Sequence, residues 1–140
     1  MAEISVMVFA AGLGRRMGAL TQDRPKPLVE VCGLPLIDHT LALLDGIDKT
    51  HVVINTHYKH EMLKAHLAGM SVKISPELPD VLETGGGLKA ALPILKTNPV
   101  ITLNSDAIWV GPNPLRELID HWDSSRMDGL LLCIPSAQKY

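Results

Sequence analysis

The sequence predicts a three-layer α/β/α fold with a mostly parallel sheet. Short apolar runs rich in β-branched residues alternate along the chain with segments whose apolar residues recur at helical spacing. Such alternation is typical of parallel strands joined by right-handed helical crossovers. The chain has 140 residues, of which 46% are hydrophobic, and it contains no internal repeat or low-complexity linker. We therefore expect one domain, residues 1–140, with a core of its own.

The predicted strands are, in chain order, residues 5–9, 51–55, 72–74, 100–104 and 129–134. The predicted helices are residues 36–44, 59–68, 88–95 and 114–122. The first of these helices follows Pro35, which suits the first turn of a helix. The second strand is apolar almost throughout, which predicts burial on both faces of the sheet.

A glycine-rich loop follows the first strand and carries most of the predicted chemistry. Its residues are, in order, Ala10, Ala11, Gly12, Leu13, Gly14, Arg15 and Arg16. Glycines at positions 12 and 14 allow positive φ, and successive N–H groups in such a turn converge on an anion. Lys26 follows between two prolines, which hold the backbone extended. The combination favours a polyphosphate ligand over the alternative, a glycine turn with a solvated basic cluster.

Other glycine loops do not fit this spacing. The dinucleotide-binding fingerprint requires a third glycine where this chain has Met17, with Gly18 one position late. The P-loop requires Gly-Lys followed by Ser or Thr, and the sequence contains no such triplet.

A second glycine segment precedes the predicted helix 88–95. Its residues are Glu83, Thr84, Gly85, Gly86 and Gly87. Glycines directly before a helix expose backbone amides at the positive end of the helix dipole, where a carbonyl group or an anion can bind. A flexible turn is the alternative interpretation.

An acidic residue, Asp106, follows the strand 100–104, which ends at Asn104. In an open α/β sheet, ligands bind at the carboxyl ends of the strands. Asp106 is therefore a candidate ligand-binding carboxylate, and a helix or turn cap is the alternative.

Composition argues against some classes of partner. The net charge is −2 and the basic residues are scattered, which is not typical of a nucleic-acid-binding surface. No apolar run approaches the ~18 residues of a membrane span, and the N-terminus lacks the layout of a signal peptide. We expect a cytoplasmic protein that binds neither nucleic acid nor membranes.

Cysteines and histidines show no metal-binding spacing. Cys32 and Cys133 are far apart in sequence, and we expect two reduced thiols in the core. His57, His60 and His66 match no known set of zinc ligands, so we expect structural or solvated roles for them.

Three motifs together resemble the signature of the sugar-1-phosphate nucleotidyltransferases, also called nucleotide-sugar pyrophosphorylases. They are Ala-Ala-Gly-x-Gly-x-Arg-Met at 10–17, Leu-Thr at 20–21 and Pro-Lys-Pro-Leu at 25–28. Within that family the sequence is most similar to bacterial N-acetylmuramate-1-phosphate uridylyltransferases and to mannose-1-phosphate guanylyltransferase-like proteins. Residues 55–58 resemble a segment of the same family, and the Glu-Thr-Gly-Gly-Gly segment resembles the form found in the uridylyltransferases.

The resemblance implies a Rossmann-like fold, an activity and a site. The activity is transfer of a nucleotidyl group from a nucleoside triphosphate to a sugar 1-phosphate, with Mg²⁺ as cofactor and UTP as the favoured nucleotide. Arg16 and Lys26 correspond to catalytic residues, and Asp106 corresponds to the Mg²⁺ ligand, with Ser105 in place of the family's usual glycine. The implied nucleotide-binding residues are Ala10, Ala11, Gly12, Leu13, Gly14, Arg15, Glu83, Thr84, Gly85, Gly86, Gly87 and Asn104.

The resemblance covers only the N-terminal part of the family's catalytic domain. We therefore expect the sugar pocket and a second metal ligand to lie beyond Tyr140 or in a partner chain. Two alternatives stay open: a non-catalytic nucleotide-binding or regulatory half-domain, and a cytidylyl- or guanylyltransferase for another phosphorylated acceptor. The identity of the sugar, the base and the oligomeric state also stay open.

Overall fold

A computed structural model describes residues 3–135 of the chain. Its strands are β1 (Ser5–Phe9), β2 (Glu30–Val31), β3 (Leu34–Pro35), β4 (His51–Thr56), β5 (Lys73–Pro76) and β6 (Val100–Asn104). Its α-helices are α1 (Leu36–Ala42), α2 (His60–His66), α3 (Glu83–Leu95) and α4 (Pro114–His121). Short 3₁₀ segments cover Arg15–Thr21 and Lys26–Leu28.

The main sheet has four parallel strands in the order β5-β4-β1-β6. Ser5 of β1 lies opposite His51 of β4 on one side and Val100 of β6 on the other. The chain adds β4 and then β5 on one side of β1 before β6 returns to the opposite side. The direction of strand addition therefore reverses beside β1, and ligand-binding crevices in such sheets lie at the carboxyl ends of strands at this reversal.

The core lies on both faces of the sheet. Met7 and Val53 pack with Ala91 and Leu95 of α3, and all four residues are fully buried. Alternate residues of a strand point to opposite faces, and Val6, the neighbour of Met7, is buried to the same extent. This arrangement confirms the predicted α/β fold with a parallel sheet that is covered on both sides.

Most predicted elements are confirmed with small differences at their ends. The strands β1 and β6 have the predicted bounds, β4 is one residue longer than predicted, and α1 ends earlier. The largest change concerns α3, which begins at Glu83 and so contains the three glycines that were expected to precede it.

The described part of the chain divides into two compact units, one up to Ile108 and one from Trp109 onward. The second unit contains α4, and the side chain of its N-cap residue, Asn113, accepts a hydrogen bond of 2.9 Å from the N–H of Leu115. Pro114 occupies the first turn, where its missing N–H costs nothing.

The strand predicted at residues 129–134 does not form. Leu131 is 85% exposed and Ile134 is 71% exposed, and within residues 3–135 no strand pairs with this segment. A strand requires a hydrogen-bonded neighbour for its N–H and C=O groups, and apolar composition alone does not supply one.

The cysteines are free thiols, as expected, but both are exposed, so the prediction that they lie in the core is wrong. Cys32 and Gly33 have φ values of 53° and 79° and form the two-residue turn of the β2–β3 hairpin. Positive φ at both central positions is typical of a type I′ turn. Cys32 is therefore exposed because it lies at the tip of a hairpin.

The three histidines considered above as metal ligands, His57, His60 and His66, are hydrogen-bonded within the fold. The ring of His57 pairs with the carbonyl of Glu77, and that of His60 with the hydroxyl of Thr56. The Nε2 atom of His66 lies 2.7 Å from Asp38 Oδ1. Over residues 3–135, no group of three His, Cys, Asp or Glu side chains is placed to hold a metal ion.

No helix within residues 3–135 has the length and apolar character needed to span a bilayer.

The packing of α3 on the sheet gives a first testable prediction. We expect Leu95→Ala to lower the free energy of unfolding by about 2–5 kcal/mol, because it leaves a cavity at a fully buried position. Leu92→Ala, at a position 49% exposed in the same helix, is the matched control and should change it by about 1 kcal/mol or less. Urea denaturation of both variants measures the difference, and similar losses for the two would contradict the packing.

Candidate active site

A pocket of about 490 Å³ lies at the carboxyl ends of β1, β4 and β6. Its lining comes entirely from the first unit of the chain. The predicted site residues that line it are Ala10, Ala11, Gly12, Leu13, Gly14, Arg15, Arg16, Lys26, Glu83, Thr84, Asn104 and Asp106. Three predicted residues, Gly85, Gly86 and Gly87, do not line it. The fold thus brings together residues as far apart in the sequence as Ala10 and Asp106.

The glycine loop after β1 is held in place by packing at Gly14. This residue has a φ of +64°, and a Cβ atom there would lie 3.0 Å from Thr21 Cγ2 and 3.2 Å from Lys26 Cβ. The hydroxyl of Thr21 donates a hydrogen bond of 2.9 Å to the carbonyl of Gly14. A side chain at position 14 would therefore disturb both the loop and the segment that carries Lys26.

Gly12 differs from the prediction because its φ is not positive. A Cβ atom at this position would have no other atom within 4 Å. Its contribution to the site is therefore open space beside the backbone, which allows a ligand to come close to the loop.

Lys26 and Asp106 meet in the pocket. Lys26 Nζ donates to Asp106 Oδ2 at 2.5 Å, and the two side chains are 27% and 41% exposed. Lys26 is positioned by its neighbours Pro25 and Pro27, both of which are buried. The ion pair joins the segment after β1 to the segment after β6.

Arg15 and Arg16 are exposed and line the same pocket. Within residues 3–135, neither forms a salt bridge with an acidic side chain. Arg24, in contrast, pairs with Asp23 at 3.2 Å, and its hydrogen bond lowers the pKa of the Asp23 carboxyl group below the usual value. The two arginines of the loop therefore provide positive charge that an anionic ligand could neutralise.

Ser105 fixes the end of β6 against the end of β1. Its backbone N–H and its hydroxyl both donate to the carbonyl of Phe9, at 3.3 Å and 2.7 Å. The sequence identifies this serine only as a replacement for the family's usual glycine and does not predict this contact. The hydrogen bonds place Asp106, the next residue, beside the glycine loop.

The second glycine segment has a different structure from the one predicted. Because α3 begins at Glu83, Gly86 and Gly87 belong to the helix, and their amides take part in its hydrogen bonding. The first N–H groups of an α-helix have no partner within the helix, so the donors available to a ligand in the pocket lie at Glu83 and Thr84. Glu83 also has a φ of +61°, which is unfavourable for a residue with a side chain.

Among the lining residues that were not predicted as part of the site, Asn55 and Glu77 form a buried polar pair. Asn55 is 3% exposed and Glu77 is 1% exposed, and both line the pocket. Asn55 Oδ1 accepts a hydrogen bond of 2.7 Å from the Ala10 N–H, and Asn55 Nδ2 donates to Glu77 Oε1 at 2.8 Å. The other carboxylate oxygen, Glu77 Oε2, accepts a hydrogen bond of 2.7 Å from the Leu82 N–H. Two sequence signals were available for this pair. Asn55 is a polar residue at the end of the apolar strand β4, and Glu77 is an acidic residue directly after β5.

Comparison with known protein families assigns the domain. The family described as MobA-like NTP transferase domain matches residues 6–139. The chain belongs to this family. The resemblance to nucleotidyltransferases is thereby confirmed, whereas the roles of individual site residues stay predictions.

Individual relatives share part of their length with the chain. N-acetylmuramate alpha-1-phosphate uridylyltransferase of Caulobacter vibrioides is 44% identical over 135 residues, which are 90% of this chain and 56% of the relative. Mannose-1-phosphate guanyltransferase of Hypocrea jecorina is 31% identical over 134 residues, 90% of this chain and 36% of the relative. The chain therefore spans about half the length of the first relative and about a third of the second.

A solved structure shares the fold. A nucleotidyl transferase from Methanothermobacter thermautotroptrophicus superposes with a TM-score of 0.73 at 23% identity, over 88% of this chain and 59% of that one. At this identity the likeness is informative about the fold alone, and it agrees with the parallel sheet described above.

The close approach of α3 to the pocket gives a second testable prediction. A Cβ atom at Gly87 would overlap Glu77 Oε1 and come within 2.7 Å of Asn55 Nδ2, so Gly87→Ala should reduce the free energy of unfolding by about 1–3 kcal/mol. Gly85→Ala is the matched control, because a Cβ there meets nothing within 4 Å and alanine favours the helix by up to about 1 kcal/mol. Thermal unfolding of both variants tests this, and a neutral Gly87→Ala would show that the contact has been misassigned.

Proposed function

We propose that this chain forms the nucleotide-binding part of an enzyme that transfers a nucleotidyl group from a nucleoside triphosphate to a sugar 1-phosphate. The products would be a nucleotide sugar and pyrophosphate. The observation that carries the proposal is the meeting of the glycine loop, Arg16, Lys26 and Asp106 in one pocket. The names of the uridylyltransferase and guanyltransferase relatives support a sugar 1-phosphate as the acceptor.

The proposed reaction needs positioning more than acid–base chemistry. An oxygen of the acceptor phosphate attacks the α-phosphorus, and the bond from that phosphorus to the oxygen bridging it to the β-phosphate breaks. The nucleophile is already anionic, so no general base is required. Catalysis then depends on alignment of the reactants and on neutralisation of charge.

The residues of the first loop suit this task. Backbone amides between Gly12 and Arg15 would bind the triphosphate, since N–H groups in a glycine turn converge on anions. Arg16, exposed and without an acidic partner in the described chain, would neutralise the departing pyrophosphate. Lys26 would contact the α-phosphate or the incoming sugar phosphate.

The donor set fits a magnesium ion delivered with the nucleotide. Mg²⁺ at nucleotide sites is held by one or two carboxylates together with substrate phosphates and water, so a single acidic side chain is compatible with it. Asp106 is that side chain, because it lies in the pocket beside the glycine loop. When bound, the ion would offset negative charge on the phosphates. Lys26 would then exchange its contact with Asp106 for one with a phosphate oxygen.

The base would lie at the start of α3, where Glu83 and Thr84 line the pocket, and Asn104 at the end of β6 lines it as well. Because Gly86 and Gly87 lie inside the helix and Gly85 does not line the pocket, the proposed donors are the N–H groups of Glu83 and Thr84. We propose UTP as the nucleotide, because the Glu-Thr-Gly-Gly-Gly segment resembles the uridylyltransferases and a relative 44% identical carries that name.

Calorimetric titration of the chain with UTP, CTP, GTP, ATP and dTTP, each with Mg²⁺, tests the proposal. Selective binding of UTP is the expected result. Selective binding of another triphosphate would replace the proposed base. A third result would indicate a nucleotide-binding module without catalytic activity. In that case a longer form of the protein would release no pyrophosphate, and sugar 1-phosphates would not change its affinity for the triphosphate.

Removal of Arg16 should affect turnover and not folding. In the full-length enzyme we expect Arg16→Ala to lower kcat by about 100-fold or more, because it removes a charge that stabilises the leaving group. Arg24→Ala is the matched control, since Arg24 pairs with Asp23 and does not line the pocket. Steady-state release of pyrophosphate measures both, and near-normal turnover of Arg16→Ala would remove this residue from the mechanism.

Asp106→Asn should reduce the contribution of Mg²⁺ to nucleotide affinity without weakening metal-free binding of the nucleotide. We expect Mg²⁺ to strengthen UTP binding to the wild-type chain by about tenfold or more, and the variant to lose most of this gain. Without metal, the variant should bind UTP at least as tightly as the wild type, because a negative charge has left the pocket and Lys26 is free. Calorimetry with and without Mg²⁺ measures both affinities, with Asp45→Asn, outside the pocket, as the control. An unchanged Mg²⁺ gain would exclude Asp106 as a ligand.

A further inference from the structure

Asn55 and Glu77 form a buried link between the two halves of the pocket. The link starts at the N–H of Ala10, in the loop after β1, and ends at the N–H of Leu82, directly before α3. Between them, the Asn55 side chain donates to the Glu77 carboxylate. The phosphate-side loop and the base-side segment are thus joined through two side chains that are almost fully buried.

The two ends of this chain of hydrogen bonds restrict which group donates and which group accepts at each step. Both ends are backbone N–H groups, which can only donate. Asn55 offers one acceptor and one donor group along the chain, so Glu77 must accept on both of its oxygens. A carboxylate does so, whereas a glutamine would present a donor to one of its neighbours. The residue types at positions 55 and 77 are therefore matched to each other.

Packing and charge support the same link. A side chain at Gly87 would overlap the Glu77–Asn55 pair, so α3 lies directly against it. Within residues 3–135, Glu77 forms no salt bridge with a basic side chain. Its charge is met instead by the Asn55 amide and by the amino end of the thirteen-residue helix α3, whose dipole favours an anion there.

We infer that Asn55 and Glu77 are positioning residues, which set the distance between the phosphate-binding loop and the base-binding segment. This inference rests on the proposed function, because it assigns the two halves of the pocket to the two ends of a nucleotide. Neither side chain needs to contact the ligand. They affect nucleotide affinity because they hold the backbone at Ala10 and at Leu82 a fixed distance apart.

A reciprocal exchange of the two residues tests the inference. In Asn55→Asp, two carboxylates face each other across 2.8 Å, and in Glu77→Gln an N–H donor faces another donor. The double variant Asn55→Asp/Glu77→Gln restores the sequence of donors and acceptors. The Ala10 N–H donates to Asp, the Gln amide donates to Asp, and the Leu82 N–H donates to the Gln oxygen. It also keeps one carboxylate in the pair, so the net charge equals that of the wild type.

The measurement is the dissociation constant for UTP with Mg²⁺ at a temperature at which circular dichroism shows each variant to be folded. We expect each single variant to bind at least about tenfold more weakly, because a buried polar group has lost its partner. The double variant should return to within about threefold of the wild type. Exchange protection of the Ala10 and Leu82 amides should follow the same pattern. A single variant that does not fold, beside a double variant that folds and binds, supports the inference equally.

Two results would overturn the inference. A double variant that folds but binds as weakly as the single variants would show that the carboxylate is needed at position 77 itself, as expected for a ligand contact. Single variants with unchanged affinity would show that the link does not affect the pocket.

Failure of the proposed function is distinguishable from both results. If the wild type binds none of the five triphosphates, the proposed function fails and the nucleotide role of the pair fails with it. The unfolding midpoints of the four proteins would then still show whether the pair is coupled, through loss in the single variants and recovery in the double variant.

Discussion

The central position of β1 in the parallel sheet is the constraint on which the pocket depends. Because β1 lies between β4 and β6, the residues that follow it can be held from both sides. Asn55 at the end of β4 holds the Ala10 amide, and Ser105 after β6 holds the Phe9 carbonyl. The peptide group that joins Phe9 to Ala10, at the start of the glycine loop, is thereby held at both its C=O and its N–H before any ligand binds.

Charge in the pocket is partly balanced within the protein. Lys26 and Asp106 neutralise each other, whereas Arg15 and Arg16 extend from the exposed loop without an acidic partner in the described chain. A phosphate ligand would therefore meet free positive charge at the loop first. Its access to Lys26 requires an exchange of partners, and a metal ion that takes the carboxylate would promote this exchange. The proposed site thus couples the binding of metal and nucleotide through one ion pair.

The elements that the sequence predicted best are those whose signals are local. The strand β1, the loop that follows it and the strand β6 were placed correctly, since apolar runs and glycines determine them within a few residues. The predictions were wrong where contacts with residues distant in sequence determine the secondary structure. Residues 129–134 have the composition of a strand but lack a neighbouring strand in the described structure. Helix α3 begins at Glu83 and so includes Gly85 to Gly87, the last of which lies against the distant Glu77 side chain.

The sequence by itself determined the alternation of strands and helices, the composite glycine, arginine and lysine motif, and the family to which the motif belongs. These features depend on residue type and spacing along a continuous segment. Only the tertiary structure decided that Lys26 pairs with Asp106, eighty positions away, and that Asn55 and Glu77 link the two halves of the pocket. Such contacts depend on strand order and on the register of the sheet, which bring together residues that no local pattern connects.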